Sequence, residues 1–264
     1  MRFALKVLRG ASTLAISTFV LIALWVAYLW LFDIDDFVGK GPADVWDYLF
    51  AAPTAGENRS ELFEALWVTL WDAGLGFVVG GAASVAIAVA FVVWKPVELT
   101  FMPVAMVLRS VPVVAMIPVL ALVFGRDTVG VVVIVGIIVF FPTLVLVTHG
   151  LRSTAGEAIE LLRVYDASTF EVLRKVRLPS AVPALFAAAR IGTPGAILGA
   201  LLCEWFLTGE GLGYLLLSAG TQTKYNLVWA ATILISIVSI VLFTAVTTVE
   251  RVALERYAPE AART

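Results

Sequence analysis

The chain has 264 residues, of which 61% are hydrophobic and only 14% are charged, and its formal net charge is −2 at pH 7. An average soluble domain is about half apolar and about a quarter charged, so this composition argues against a soluble protein. No basic cluster with interleaved aromatics is present, which argues against nucleic acid binding. One cysteine, Cys203, and one histidine, His149, exclude an intramolecular disulfide and leave no zinc ligand set.

Long apolar stretches recur along the chain. Because a bilayer core about 30 Å thick needs roughly 20 apolar residues per helix, these stretches predict an all-α polytopic membrane protein. The first stretch is too long for the apolar region of a secretory signal and is followed by no cleavage pattern, so it is predicted to be retained. The sequence predicts six transmembrane helices, near residues 11–32, 66–94, 99–124, 128–148, 183–207 and 228–249.

The orientation follows from the charges and tryptophans that flank these spans. With a cytoplasmic N-terminus, most of the 18 basic residues lie inside, as the positive-inside rule requires. The basic residues left outside are then Lys40, Arg59, Arg126 and Lys224. Trp25, Trp30, Trp67, Trp71, Trp205 and Trp229 all fall near the outer ends of their spans, where indole rings settle at the headgroups. Six spans therefore predict that both termini are cytoplasmic.

The second span is rich in small residues. It contains Gly74, Gly76, Gly80 and Gly81 together with several alanines. Small residues allow membrane helices to pack backbone to backbone. We therefore predict that this helix is buried in the protein or faces a second subunit rather than lipid.

The longest cytoplasmic loop, residues 149–182, has two helix-start signals. Thr154 precedes Glu157 by three residues and Ser168 precedes Glu171 by three, and each pair matches a capping box. The loop is predicted to form two short helices, over about 155–165 and 169–177. We expect a turn at Asp166 and Ala167 and a stop at Pro179.

The spacing inside this loop follows a recognisable pattern. Glu160 is followed by Asp166, then by Val176, and then by Leu178 and Pro179. This spacing resembles the EAA loop of ABC importer permeases, in which Glu-Ala-Ala is followed by Gly, Ile and Leu-Pro at the same intervals. Leucines replace the two alanines, Val176 replaces the isoleucine and Asp166 replaces the glycine. Aspartate tolerates the left-handed backbone conformation that favours glycine, so the corner can persist.

Further segments extend this resemblance over about residues 65–250. Leu108 to Pro112, Ile117-Pro118 and Phe124-Gly125 look like the third-span signature of permeases from the sulfonate, taurine and nitrate importer group. Other residues also fall where that group has similar ones, namely Arg163, Ala167-Ser168, Pro183, Arg190 to Gly192, Glu204 and Gly211 to Tyr214. The chain is thus identified as resembling a binding-protein-dependent permease of a prokaryotic cell membrane.

The resemblance implies a type I importer permease fold that forms a single transmembrane domain over 1–264. Residues 1–64 would form the first span and an external loop, 65–250 the permease core, and 149–182 a coupling loop. The implied partners are two ABC ATPase subunits, a second copy of the chain or a related permease, an extracytoplasmic solute-binding protein and a small solute. The residues implied in ATPase coupling are Glu157, Glu160, Arg163, Asp166, Ala167, Ser168, Val176, Leu178 and Pro179.

No catalytic residue, metal site or cofactor is predicted for this chain. It lacks the G-x-x-x-x-G-K-[ST] phosphate-binding loop, so ATP and Mg²⁺ would be bound by the partner ATPase. Transport would occur by alternating access, with ATP-driven closure of the ATPases rocking the permeases between two states.

Ionisable residues within the spans mark a candidate pathway, because a charge at mid-span costs roughly 2.5 to 3.5 kcal/mol on insertion scales. Arg109 lies near mid-span and is followed by prolines that remove backbone donors, which membrane helices tolerate where protein or a watery cavity covers them. Asp72, Arg190 and Glu204 are either structural or solute-contacting. The predicted pathway residues are Arg109, Ser110, Pro112, Pro118 and Glu204.

Three other readings of the sequence remain open at this point. A secondary transporter or channel would need no ATPase, but only Asp72 and Glu204 are available as intramembrane carboxylates for ion coupling. A membrane enzyme would need a nucleophile with its base, and the cysteine and histidine lie in different regions. A scaffold without transport activity would not explain the loop pattern. The solute, and whether the permease pair is homodimeric, are not readable from the sequence.

Overall fold

The structure is a computed structural model that describes residues 2–154 and 156–257. Ala155, where the first loop helix is predicted to begin, and the predicted cytoplasmic C-terminal residues 258–264 lie outside the described residues. All regular secondary structure in the described ranges is helical, and these ranges contain no strand. This is the expected consequence of an apolar sequence, because in hydrocarbon every backbone donor and acceptor must be paired within the protein.

The helices follow one another with short connections. The N-terminal part contains α1 Arg2–Leu31, α2 Pro42–Trp46 and α3 Ala55–Val93. The middle contains α4 Lys95–Arg109, α5 Val113–Phe124, α6 Thr128–Arg152, α7 Gly156–Val164, α8 Thr169–Val172 and α9 Leu178–Ser180. The remainder contains α10 Val182–Cys203, α11 Gly211–Thr221 and α12 Tyr225–Tyr257. Wider π-helical turns lie at Asp47–Ala51, Leu173–Arg177 and Glu204–Thr208.

Among the described residues, four helical stretches are long and apolar enough to cross a membrane. They are Ala55–Val93, Thr128–Arg152, Val182–Thr208 and Tyr225–Glu255, and a fifth span results if α4 and α5 count together. Within α1 the apolar stretch Ile16–Leu31 is shorter. The structure therefore supports four or five spans by length and composition, and the predicted number of six, like the single-domain organisation, stays a prediction.

The third predicted span, 99–124, is wrong as a single continuous helix. The chain instead forms α4 and α5, whose axes differ by 108° across a break of three residues. Pro112 explains the break, because it has no backbone donor and disfavours helical geometry at Val111. Pro112 then stands as the N-cap of α5 in an extended conformation.

Two compact units can be distinguished, and the first consists of Met1–Phe63 with Leu215–Leu234. In this unit Trp25 stacks on Trp229 with ring centroids 5.4 Å apart. The indole nitrogen of Trp229 also donates a hydrogen bond to the Val38 carbonyl at 2.9 Å. These contacts connect α1, the segment after it and the start of α12.

The second unit consists of Glu64–Tyr214 with Ile235–Thr264, and its core is formed by α3, α6 and α10. Gly80 of α3 lies directly against the backbone of Gly136 in α6, so that an added Cβ would come within 2.6 Å of the Gly136 Cα. Gly76 lies equally close to Val135. The predicted packing role of the small residues in this helix is confirmed at these two glycines, whereas Gly74 and Gly81 have nothing within 4 Å of a Cβ position.

We predict that Gly80→Ala destabilises the protein while Gly81→Ala does not. The new methyl group at residue 80 would overlap the backbone of Gly136, which cannot rotate away, at a cost of about 1 to 3 kcal/mol. The measurement is the apparent Tm of the purified chain in one detergent. Equal Tm values for the two variants would contradict the packing contact between α3 and α6.

Candidate functional site

The loop between α6 and α10 folds into a helical hairpin, formed by α7 and by the continuous run from α8 to α9. Its two predicted helices, 155–165 and 169–177, agree within a few residues with α7 and with α8 plus its following π turn. The hairpin belongs to the second unit and follows the C-terminal end of α6. Because α6 has 25 residues, its N-terminal end lies about 37 Å away.

The corner of the hairpin is a left-handed helix cap at Asp166, which has a φ of 57°. The Ala167 N–H donates to the Leu162 carbonyl at 3.0 Å, and the Asp166 N–H donates to the Arg163 carbonyl at 2.9 Å. This pair of bonds is a Schellman motif, in which the left-handed position is usually glycine. The predicted turn at Asp166 and Ala167 is therefore confirmed, with aspartate in the position that glycine would take.

The second helix of the hairpin begins with the predicted capping box. The Glu171 N–H donates to the Ser168 hydroxyl at 3.3 Å, and the Glu171 carboxylate accepts from the Ser168 N–H at 3.0 Å. The same carboxylate accepts from Lys175 at 3.0 Å. The backbone hydrogen bond from Ser168 is the main reason that the pKa of Glu171 is lowered to about 2, with Lys175 adding to the effect. Glu171 therefore stays ionised, and the cap intact, well below neutral pH.

The predicted helix stop at Pro179 is wrong. The chain continues through the π turn Leu173–Arg177 and α9 into α10, with only Ala181 between the last two. Pro179 lies in the first turn of α9, where its missing N–H is not needed for an intrahelical bond. A helical connection of this kind transmits position from the hairpin to α10 more rigidly than a flexible loop would.

The base of the hairpin is part of the protein core. Leu173 is 6% exposed and Ala181 is fully buried. Both pack in one cluster with buried residues of the long helices, namely Ala88, Phe91, Leu144, Val147, Leu151 and Ala188. An ion pair between Arg152 and Glu98 connects the C-terminal end of α6 to α4 nearby. The hairpin is thus fixed to α3, α6 and α10 by apolar contacts.

The far end of the hairpin exposes large apolar side chains to solvent. We name these residues the tip patch: Leu161, Val164, Tyr165 and Phe170, which are between 60% and 82% exposed. These four residues are not among the coupling residues predicted from the sequence, because that prediction rests on the spacing of the loop motif and on its charged residues. The sequence does contain a signal for them, because several large apolar residues lie among the alternating charges of this hairpin. Contiguous apolar patches on a protein surface mark interaction sites.

The charged residues predicted for ATPase coupling lie on the same hairpin as this patch. Glu157, Glu160, Arg163 and Asp166 are exposed, and within the described residues none of them forms an ion pair. Ser168 and Pro179 are also exposed, whereas Ala167, Val176 and Leu178 are half-buried. The structure thus brings the predicted coupling residues onto one hairpin. Their role in coupling stays a prediction.

A basic surface lies at the inner side of the same hairpin. Arg163 and Arg177 line a small cavity of about 80 Å³ between α7, α8 and the end of α3. Burial, followed by the positive charges of Arg152 and Arg163, lowers the pKa of Arg177. Three guanidinium groups are therefore close together on the inner side of the hairpin.

Four of the five predicted pathway residues lie on the bent pair of helices. Arg109 ends α4, Ser110 and Pro112 form the break, and Pro118 lies within α5. All four are exposed, and the Ser110 hydroxyl donates to the Val107 carbonyl at 2.6 Å. Their assignment to a pathway stays a prediction.

Glu204 is in a different environment, because its side chain is completely buried. Its carboxylate accepts hydrogen bonds from the Thr69 hydroxyl at 3.0 Å and from the Gly213 N–H at 2.7 Å. Thr69 in turn accepts from the Leu212 N–H at 2.9 Å. Gly211 has a φ of 83° and lies against the carboxylate, where no Cβ would fit. These contacts are structural, and the part predicted for Glu204 in the pathway is untested.

Arg190 is paired within the protein as well. Its guanidinium donates to the Glu250 carboxylate of α12 at 3.2 Å. This pair is the structural alternative that the sequence left open for an intramembrane arginine. Asp72, by contrast, is 5% exposed and has no such partner among the described residues.

Several long apolar helices and a helical hairpin whose base is packed against them define a polytopic membrane protein. The family model of the binding-protein-dependent transport system inner membrane component matches residues 80–253. The chain belongs to this family, which comprises permeases of ABC importers.

Individual relatives agree with this assignment. A probable ABC transporter permease protein of Haemophilus influenzae is 32% identical over 74% of this chain and 82% of its own length. The putative aliphatic sulfonates transport permease protein SsuC of Bacillus subtilis is 30% identical over 67% of this chain and 64% of its own length. Among solved structures, an inward-facing MetNI methionine ABC transporter is similar in fold, with a TM-score of 0.63, 20% identity and coverage of 74% of this chain and 97% of that chain.

We predict that Ser168→Ala loosens the second hairpin helix while Ser180→Ala does not. Removing an N-cap hydroxyl costs about 1 kcal/mol, which corresponds to roughly fivefold faster local opening. Ser180 is exposed on the same run of helix, and its hydroxyl forms no hydrogen bond within the described part of the chain. Amide hydrogen exchange of residues 169–172, read by mass spectrometry, measures the difference. Unchanged exchange in Ser168→Ala would argue against the capping box.

Proposed function

We propose that this chain is the permease subunit of an ATP-driven importer for a small solute that an extracytoplasmic binding protein delivers. Two permease subunits, either identical or related, would enclose the pathway, and two separate ATPase subunits would supply the energy. The single observation that carries the proposal is the hairpin of α7 to α9, whose base is packed into the core and whose tip exposes apolar residues.

The hairpin has the properties of a mechanical connection. Its apolar tip patch suits a cleft in a partner protein. Each Å² of apolar surface that the cleft removed from water would stabilise the complex by about 25 cal/mol. Arg163 and the exposed glutamates of α7 add charge to the same hairpin, which sets orientation and partner choice rather than affinity. The tip would therefore dock as a coupling helix in each ATPase subunit.

Movement at the tip reaches the spans through packed side chains. Leu173 and Ala181 share a cluster with residues of α3, α6 and α10, so that a displaced hairpin must move these helices or break the cluster. Closure of the ATPase pair would rock each permease as a rigid body between inward-facing and outward-facing states. The pathway residues predicted from the sequence, Arg109, Ser110, Pro112, Pro118 and Glu204, belong to this proposal.

The proposed topology has six spans with both termini in the cytoplasm of a prokaryotic cell. It is supported by the distribution of basic residues and tryptophans along the sequence. It places the hairpin, at the C-terminal end of α6, inside, and Thr128, at the other end of that helix, outside.

We predict that Tyr165→Ala combined with Phe170→Ala reduces recovery of the ATPase subunit by at least tenfold. The two changes remove side chains that are 77% and 68% exposed, so they cost the permease itself little stability. The measurement is purification of the tagged chain from its native membrane in mild detergent, with quantitative mass spectrometry of the proteins that accompany it. The expected loss reflects the apolar contact area that the patch would bury in the ATPase.

The control for this experiment is Phe50→Ala, which removes an aromatic side chain that is 54% exposed outside the hairpin. This variant should retain the ATPase at the level of the unaltered chain. If no ATPase accompanies the unaltered chain even after crosslinking in the membrane, the importer proposal fails and a secondary transporter becomes the better reading.

We predict that Thr128→Cys and Tyr165→Cys react with a membrane-impermeant maleimide from opposite sides. Both positions are exposed, and the natural Cys203 is buried, so it contributes little background. Right-side-out vesicles should label residue 128 and inverted vesicles residue 165. Labelling of both positions from one side would overturn the proposed orientation of α6.

A further inference from the structure

An open cleft lies at the end of α6 opposite the hairpin. Its volume is about 540 Å³, which falls within the 300 to 1,000 Å³ typical of small-molecule sites. Residues 67–72 of α3 form one wall, residues 126–128 before and at the start of α6 form another, and residues 208 and 210 complete it. All of these residues belong to the second unit.

Asp72 is the unusual member of this lining, because it is a buried carboxylate residue, with only 5% exposed. Within residues 2–154 and 156–257 it accepts no hydrogen bond and forms no ion pair. Its electrostatic neighbours are the carboxylates of Glu210 and Glu204, which repel it. A buried carboxylate without a partner is costly, and the chain's own described residues do not offset that cost.

The rest of the lining adds negative charge. Glu210 is exposed at the mouth, and Asp127 uses its carboxylate to cap α6, accepting from the Val129 N–H at 3.1 Å. Arg126 is the basic residue of this lining, and no ion pair of its guanidinium is found in the described part of the chain. Three carboxylates therefore face one guanidinium, and a concave site of this kind concentrates positively charged ligands.

The aromatic residues indicate an organic cation rather than a metal ion. Trp67 and Trp71 line the cleft with ring centroids 6.4 Å apart, and they are 68% and 57% exposed. Indole faces attract ammonium and guanidinium groups by cation–π interaction. Among the described residues, no three His, Cys, Asp or Glu side chains are arranged to hold a metal ion. The two indole rings therefore favour an organic cation.

We propose that this cleft binds the ammonium or guanidinium group of a small organic cation, with Asp72 as its main counter-ion. Glu210 supplies the second negative charge, and Trp67 and Trp71 contact the cation through their ring faces. This inference deepens the proposed function. It rests on that function only in identifying the bound cation as the transported solute. Binding itself requires no ATPase, so it can be tested separately.

The test uses the full chain in nanodiscs of zwitterionic lipid, which has no net charge. The nanodiscs are titrated with cadaverine, pentanediol and glutarate. These three probes share a five-carbon chain and differ in charge, being cationic, neutral and anionic. Isothermal calorimetry gives the affinity. The tryptophan fluorescence change that is lost when Trp67→Phe and Trp71→Phe are combined reports on these two of the chain's eight tryptophans. We expect saturable binding of cadaverine, weakened by added salt, and no saturable binding of the other two probes.

The variants separate the proposed contacts. Asp72→Asn should weaken cadaverine binding at least tenfold, and Glu210→Gln should weaken it severalfold. Arg126→Gln should strengthen it, because it removes the competing positive charge. If Arg126 were instead the natural partner of Asp72, Arg126→Gln would lower the Tm and leave cadaverine binding no stronger, which overturns the proposal. The matched control is Asp36→Asn, an exposed carboxylate outside the cleft that should leave binding unchanged.

Folding of each variant is followed by its Tm in the same nanodiscs. Should Asp72→Asn fail to fold, Glu210→Gln decides, since its exposed side chain is not needed for packing. Equal binding of cadaverine and glutarate, or unchanged affinity in the cleft variants, would overturn the inference. Cation binding by a chain that recovers no ATPase would leave the cleft assignment standing and refute the importer proposal, so the two failures are distinguishable.

Discussion

The close approach of α3 to α6 is the contact on which the second unit depends. Gly80 packs its backbone against Gly136, and no side chain larger than hydrogen fits there. In a membrane this contact cannot be driven by the hydrophobic effect, because lipid is as apolar as the helix surfaces. Van der Waals contacts between closely packed helices drive the association instead. With α3 held against α6, one end of the pair forms the acidic cleft and the other end anchors the hairpin.

The hairpin combines an exposed apolar tip with a base that is packed into the protein core. Its corner is held by the backbone bonds around Asp166, and its second helix is held by the reciprocal cap of Ser168 and Glu171. Its base is buried with Leu173 and Ala181. The exposed apolar tip is therefore carried on a structure with little internal freedom. In the proposed mechanism, a force applied at the tip would be transferred to α3, α6 and α10 through this packed base.

The buried charges of the second unit fall into two kinds. One carboxylate oxygen of Glu204 accepts two hydrogen bonds, and Arg190 and Glu250 neutralise each other, so these groups hold helices together. Asp72 has no such compensation among the described residues and faces open space. A charge retained at such a cost is a functional candidate by default. Sequence alone placed Asp72 and Glu204 in one class, and only their different surroundings separate them.

The sequence by itself determined the helical membrane class, the small-residue packing of α3, and the hairpin with its corner and its cap. These features depend on hydropathy and on spacing over a few residues, which are readable along the chain. It did not determine the 108° bend between α4 and α5, the continuation through Pro179, or the exposure of the tip patch. Proline permits several outcomes, and the contacts of neighbouring helices select one of them. The cleft likewise joins residues 67–72 with 126–128 and 208–210, and only the tertiary fold can bring such distant charges together.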